Sequence, residues 1–257
     1  MTRPRVLVLR APGTNCDLET AHAFEQAGAQ AERVHVNRLL ENPKTLAGFQ
    51  VLCIPGGFSY GDDVAAGRIL ANQIEHHLAG QMAEFKAAGK LILGICNGFQ
   101  VLIKSGVLLE PHEGEPIATL TWNDSGKYED RWARLAATGT KSVFLRGIQS
   151  MYLPVAHAEG KFVARDQIAL QTLEARGQIA LRYCSQNGAA MVGYPDNPNG
   201  SMADAAGVCD ASGRVLGLMP HPERHLERTH HPRWTRGEGR SPGDGLQLFV
   251  NAVRYFD

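Results

Sequence analysis

The sequence predicts an α/β fold: a doubly wound, mainly parallel sheet with helices on both faces and extra antiparallel strands in the C-terminal half. Three observations carry that expectation. Over the first hundred residues, short β-rich apolar runs alternate with longer segments of helical periodicity, which is how βαβ units look in sequence. Runs in this part end in glycine, proline or asparagine: Ala11-Pro-Gly-Thr-Asn15, Pro55-Gly-Gly57 and Gly94-Ile-Cys-Asn-Gly98. From about residue 117 the texture changes to short alternating segments, the mark of sheet hairpins rather than crossovers.

Taken in order, strands are expected over residues 5–10, 32–36, 50–54 and 90–95, each rich in Val, Ile or Leu. Between them lie a helix over 17–27, a weaker one over 39–46, and a long one over 64–88 with Gly80 as its expected interruption. In the second half, strands are expected over 117–122, 142–145, 162–164, 179–183, 191–194 and 215–219. Residues 224–240 hold five Arg against two Glu and read as an exposed loop. Residues 246–256 close the chain as a helix with Leu246, Phe249, Val250 and Val253 on one face, and Asp244 placed as a cap or first-turn acid.

At 257 residues the chain can bury one large core, and a single domain over 1–257 is expected. Apolar residues make up 44% and charged residues 20%, which excludes wholesale disorder. Lys and Arg number 26, as do Asp and Glu, so no field of one sign calls for a nucleic-acid partner. The cysteines at 16, 53, 96, 184 and 209 are odd in number and contain no CxxC pair, which speaks against a disulfide framework or a structural zinc and for a reducing compartment. The run Val6-Leu-Val-Leu9 before Arg10 is too short for a signal core or a membrane span, so a cytoplasmic protein without membrane contact is expected.

In open α/β sheets, ligands bind beyond the carboxyl ends of the strands, so the three punctuated loops are where a site belongs. Cys96 follows the apolar strand Leu91-Ile-Leu93 and precedes a helical pattern, the context of a nucleophile elbow with Cys in place of Ser. The helix beginning under the sulfur favours an anion there and offers a donor to a developing oxyanion. The other reading of Cys96 is a buried structural thiol in a glycine-rich turn. Pro55-Gly-Gly57 would lie beside it and supply a second donor, or be merely a turn; Cys53 reads as core. A thiolate needs an oriented base. His221 sits between Pro220 and Pro222 after the strand at 215–219, and Glu223, two positions on, can reach its ring. A solvated turn is the alternative. A metal set of His221, Glu223 and His225 is disfavoured, because Pro222 prevents a helical ligand face, and no metal is expected.

Elbow, glycine pair and Pro-His-Pro-Glu in this order resemble the class I, or triad, glutamine amidotransferases, whose sheet is flavodoxin-like. Within them the chain is most similar to the PurQ-type glutaminase subunits of phosphoribosylformylglycinamidine synthase. The residues behind this are Pro12-Gly-Thr-Asn-Cys-Asp17, Gly56-Gly-Phe-Ser-Tyr-Gly-Asp62, Gly94-Ile-Cys-Asn-Gly-Phe-Gln100, His157-Ala-Glu-Gly-Lys161 and Gly217-Leu-Met-Pro-His-Pro-Glu-Arg224. The resemblance implies that Cys96 attacks the carboxamide of L-glutamine to form a γ-glutamyl thioester, that His221 moves protons, and that Glu223 orients it. It further implies an oxyanion hole from the amides of Gly57 and Asn97, and substrate contacts near Gln100, His157, Glu159 and Gly160. In the family, ammonia passes to a PurL-type synthetase subunit, where ATP and Mg are used on formylglycinamide ribonucleotide, and a small PurS-type subunit completes the complex. No GxxxxGK[ST] run occurs in this chain, so no cofactor of its own is expected.

Two departures qualify the match. Residues 63–67 (Asp-Val-Ala-Ala-Gly) lack the aromatic and Arg that many members carry there. The loop at 226–242 is longer than in compact subunits, and its arginines and Trp234 suit either a partner contact or solvent. Another amidase on the same fold, or a binding subunit without activity, would share much of this pattern.

Overall fold

The computed structural model describes residues 3–138, 141–189 and 191–257. Its first strand, β1 (Arg5–Arg10), has four fully buried apolar residues, as a strand covered on both faces must. Helix α1 (Asp17–Gln26) follows, then β2 (Gln30–His35), parallel to β1. Asp17 ties the three elements together: its buried carboxylate meets Arg10 of β1 at 2.8 Å and Arg33 of β2 at 3.0 Å. The segment expected to be one helix over 39–46 divides into α2 (Val36–Glu41) and a 3-10 turn at Pro43–Gly48, because Pro43 lacks the N–H that a continuing helix needs.

β3 (Val51–Ile54) pairs in parallel with β1 on the side away from β2, and Cys53 is sealed in the core, as expected. The long helix expected over 64–88 is two, α3 (Arg68–His77) and α4 (Ala79–Ala87). The break falls at Leu78 rather than at Gly80. Leu78 leaves helical geometry (φ −125°, ψ 5°) with its side chain fully buried, whereas Gly80 continues α4 with open space around it. β4 (Leu91–Ile95) extends the parallel sheet beside β3 and runs directly into α5 (Asn97–Lys104).

The second half contains β5 (Ala118–Thr121), β6 (Glu129–Ala137), β7 (Ser150–His157), β8 (Lys161–Ala164), α6 (Gln167–Ala175), β9 (Ile179–Tyr183), β10 (Ala205–Cys209) and β11 (Val215–Leu218), and the last helix is α7 (Leu246–Arg254). β11 returns to lie parallel to β4, and antiparallel strands continue outward, giving the order β2-β1-β3-β4-β11-β10-β9-β6-β7. β5 and β8 form a separate antiparallel pair.

Two expected strands are absent. Residues 142–145 form a 3-10 turn (Val143–Leu145) held by Asn251 of α7, whose amide donates to the carbonyl of Phe144 at 2.8 Å. Residues 191–194 stay irregular, with Met191 at φ 61° and the Val192 N–H given to the Asp204 carboxylate instead of a strand partner. Asp244 does not cap α7. Its carboxylate accepts from the Tyr152 N–H at 2.8 Å and from Arg240 at 2.9 Å. The loop expected to be exposed over 224–240 does face solvent along most of its length, Trp234 included, and buried His225, Leu226 and His231 anchor it. Among the described residues no helix is long and apolar enough to cross a membrane.

Candidate active site

The sheet itself brings the two chemical residues together. β4 and β11 are parallel neighbours with Ile95 opposite Leu218, and the Cys96 N–H donates to the Leu218 carbonyl at 2.8 Å. Cys96, one residue past β4, and His221, three past β11, therefore emerge at the same carboxyl edge. Cys96 adopts φ 50° and ψ −106°, a conformation that costs a non-glycine residue energy and persists where surrounding structure imposes it. The imposing structure is close packing of α5. A Cβ on Gly98 would stand 1.8 Å from the Ile54 carbonyl oxygen, and one on Gly94 would stand 2.6 Å from the Gly98 carbonyl. Only glycine lets the helix start so near the sheet.

Cys96 is 6% exposed, and that edge opens on a pocket of about 250 Å³ lined by Phe58, Asp62, Gln100, Trp122, His157 and Glu159 among others. His221 lies behind the sulfur, fixed through its backbone N–H to the Pro154 carbonyl at 2.9 Å. Its Nδ1 meets the Glu223 carboxylate at 2.6 Å with both side chains buried, while its Nε2 has no protein partner among the described residues. Burial alone would push the imidazole pKa down. The Glu223 charge, with Cys96 and Cys16 beside the ring, outweighs it and carries the pKa well above the ordinary histidine value. The surroundings thus favour the charged form of the ring next to the sulfur, the kind of partner a nucleophilic thiolate needs.

Cys16 is a neighbour that sequence reasoning did not place here. Its thiol, buried after β1, comes within 4.8 Å of both His221 and Glu223, and accepts from Arg224 at 3.2 Å. Gly56 makes room for this contact, since a Cβ there would meet the His221 ring at 2.7 Å and Cys16 Sγ at 3.1 Å. His225, weighed as a third metal ligand, turns away to the Tyr152 carbonyl at 2.8 Å. The Cys16, His221 and Glu223 donors could reach one ion, but the Arg224 guanidinium on the thiol places a fixed positive charge there and opposes it.

Of the two amides expected to form an oxyanion hole, that of Gly57 belongs to the pocket wall and that of Asn97 follows Cys96 directly. Gly57, at φ 136°, lines the pocket with Cys96, and neither its N–H nor that of Asn97, the first residue of α5, donates to a protein acceptor among the described residues. The Asn97 side chain is a spacer: Oδ1 accepts from the Ser59 N–H at 3.2 Å, and Nδ2 donates to Asp62 at 3.0 Å and Gln100 at 2.9 Å.

The four residues named as substrate contacts divide. Gln100, His157 and Glu159 line the pocket. Gln100 has both ends of its amide engaged, by Asn97 and by the Glu159 carbonyl at 2.6 Å, so it shapes the wall. Gly160 is not on the wall. It lies under the His157 ring, where a Cβ would come within 2.4 Å, and both are tied to Asn123, a residue the sequence gave no reason to choose. Burial, with the charge of His221, pushes the His157 pKa down to about 3, so its ring is neutral. Asp62 was also missed as a site residue, although it ends the glycine-rich stretch that begins at Gly56.

The sequence profile of the CobB/CobQ-like glutamine amidotransferase domain matches residues 3–256. A protein from Dehalococcoides mccartyi named phosphoribosylformylglycinamidine synthase subunit PurQ is 46% identical over 256 residues, covering 99% of this chain and 98% of its own. Its namesake from Methanococcus maripaludis is 42% identical over 267 residues, with 99% and 98% covered. Among solved structures, a chain of PurLQS from Thermotoga maritima superposes with a TM-score of 0.75 at 31% identity, covering 100% of both chains.

Proposed function

From a chain that belongs to the glutamine amidotransferase family, in its PurQ branch, we propose a glutaminase that feeds a purine-forming synthetase: the glutaminase subunit of phosphoribosylformylglycinamidine synthase. The observation that carries the reading is Cys96 on its strained turn, opening on a small pocket, with the buried His221–Glu223 pair behind it at 2.6 Å.

The proposed steps use this geometry. Cys96 Sγ, as thiolate, attacks the carboxamide carbon of L-glutamine, and the carbonyl oxygen takes up the charge facing the Gly57 and Asn97 amides. Protonated His221 gives its Nε2 proton to the departing nitrogen, so the C–N bond breaks and ammonia leaves a γ-glutamyl thioester on Cys96. The neutral ring, still held at Nδ1 by Glu223, accepts a proton from water as it attacks the thioester. Glutamate departs, and thiolate and imidazolium are restored. Glu223 does not move a proton; it holds the tautomer and stabilises the ring's charge. Glu159, Gln100 and His157 shape the pocket around the substrate, with Gly160 packed behind the His157 ring.

The ammonia then serves a PurL-type synthetase partner, accompanied by a small PurS-type subunit, where ATP and Mg convert formylglycinamide ribonucleotide to formylglycinamidine ribonucleotide. The work of this chain is set in the cytoplasm. Five free cysteines suit that reducing setting.

A glutamine-directed electrophile followed by peptide mass mapping tests nucleophile and substrate at once. The label is expected on Cys96, with glutamine protecting, and Cys96→Ala is expected to release no ammonia while melting as the wild type does. Label on another residue, or a Cys96→Ala chain that no longer folds, would return Cys96 to a packing role.

A further inference from the structure

The pocket at Cys96 carries an uneven charge. The residues lining it include two carboxylates, Asp62 and Glu159, but neither Lys nor Arg. His157, the remaining titratable ring on the wall, is neutral. Behind the wall, the Lys104 ammonium lies 3.8 Å from Glu159 and donates to the Ala66 carbonyl at 2.5 Å, compensating one of the two negative charges. The Ala66 N–H also points at the Glu159 carboxylate, at 3.3 and 3.4 Å to its two oxygens. Glu159 is thus satisfied by the protein.

Asp62 is not. One oxygen accepts from Asn97 Nδ2 at 3.0 Å and from the Gly67 N–H at 3.4 Å; the other has no protein donor among the described residues. Burial, with Glu159 nearby, raises its pKa to about 6, the behaviour of a carboxylate short of positive charge. The backbone holds it there at a cost. Tyr60, Asp62 and Val64 have φ of 57°, 55° and 71°, and left-handed geometry is least tolerated by a β-branched residue such as Val64. Strain of this kind is kept where a side chain must be aimed.

We propose that the Asp62 carboxylate receives the α-ammonium group of the substrate, and is the residue by which the site separates an α-amino-acid amide from a simple carboxamide. This rests on the glutaminase reading and adds its specificity determinant. An amino-acid amide with its carboxamide carbon at Cys96 Sγ has its cationic end in the same small pocket, which Asp62 also lines. The cation completes the charge that Lys104 leaves open. Removing the contact leaves a half-buried carboxylate without its cation, which is why a site built this way rejects a ligand lacking the donor.

The test compares kcat/KM for glutamine with that for glutaramate, the same molecule without the α-amino group, in the full-length wild type and in Asp62→Asn. Asn keeps size and an acceptor oxygen for Asn97 and Gly67. Labelling of Cys96 by neutral chloroacetamide, at equal rates in both proteins, checks that the nucleophile is intact. The wild type is expected to prefer glutamine by about 100-fold or more, and the variant to lose most of that preference through a raised KM for glutamine alone. If both substrates weaken together, Asp62 acts only through Asn97 and the proposal is overturned. Glutamine turnover with an unchanged preference overturns it as well, while leaving the glutaminase reading in place. A wild type that hydrolyses neither amide sinks both.

Discussion

Glu223→Gln isolates the charge of the orienting residue from its shape. The bond it alters is 2.6 Å long between two residues each only 2% exposed, so solvent provides little screening and no substitute partner. A charge-assisted hydrogen bond of this kind contributes about 1.5–3 kcal/mol, and at 1.36 kcal/mol per tenfold the loss in kcat is roughly 10- to 150-fold. That range assumes the Gln carbonyl still accepts from Nδ1–H. Should the amide rotate and donate instead, the ring is driven into the wrong tautomer and the loss is larger, on the order of 10⁴-fold as found when a triad Asp is replaced by Asn in a serine protease. The variant also has a directional signature. Glu223 is the leading cause holding the His221 pKa up, and ammonia departs only while His221 can donate a proton. The alkaline limb of kcat should therefore move to lower pH in the variant. Ammonia release measured across pH 6 to 10 with saturating glutamine reads both quantities. A kcat within about twofold of wild type with the alkaline limb unmoved would show that the carboxylate neither orients nor charges the ring.

Two further changes probe the scaffold. Gly98→Ala places a methyl 1.8 Å from the Ile54 carbonyl oxygen, a contact with rigid backbone on both sides, so a loss of at least about 1–3 kcal/mol in denaturant unfolding is expected together with loss of glutaminase activity; wild-type stability would mean that α5 can shift without consequence. His157→Gln addresses pH. The His157 pKa falls from 6.5 unfolded to about 3 folded, so its contribution is present above pH 6.5 and lost as pH falls toward 3; the stability advantage of wild type over variant should shrink by about 1.4 kcal/mol per pH unit below 6.5, and a constant gap in melts between pH 7 and 5 would refute the buried neutral ring.

The parallel half of the fold was legible because its signals are local. β1 coincides with the expected strand, and β3 and β4 fall within a residue of theirs, since a continuous apolar run bounded by glycine or proline has few other uses in an α/β chain. The antiparallel half was only partly legible. β9 is where the pattern put it, but β6 (Glu-Asp-Arg-Trp-Ala-Arg-Leu-Ala-Ala) is composed largely of good helix formers and is a strand because β7 and β9 pair with it on both sides. β7 contains Pro154, which argues against a strand interior; it is tolerated because β7 lies at the sheet edge. Neither fact is visible without the partner strands.

The same division runs through the site. The juxtaposition of Cys96, His221 and Glu223 was readable because what marks each shows in its immediate neighbours: glycines around the proposed nucleophile, prolines around the proposed base, a carboxylate two residues on. Asp62, Asn123 and Cys16 were not, because what matters about them is which side chain from another strand end they face. Pro154 joins the two kinds of information. Its lack of an N–H marks an edge strand, and its carbonyl, left without that strand's next neighbour, accepts the His221 N–H at 2.9 Å. The last strand of the antiparallel extension thereby fixes the imidazole that the parallel half presents. That gives the C-terminal half a reason to exist in a chain whose nucleophile needs only β4 and α5: it closes over the carboxyl edge of the sheet and holds the imidazole in place, away from water, behind the sulfur.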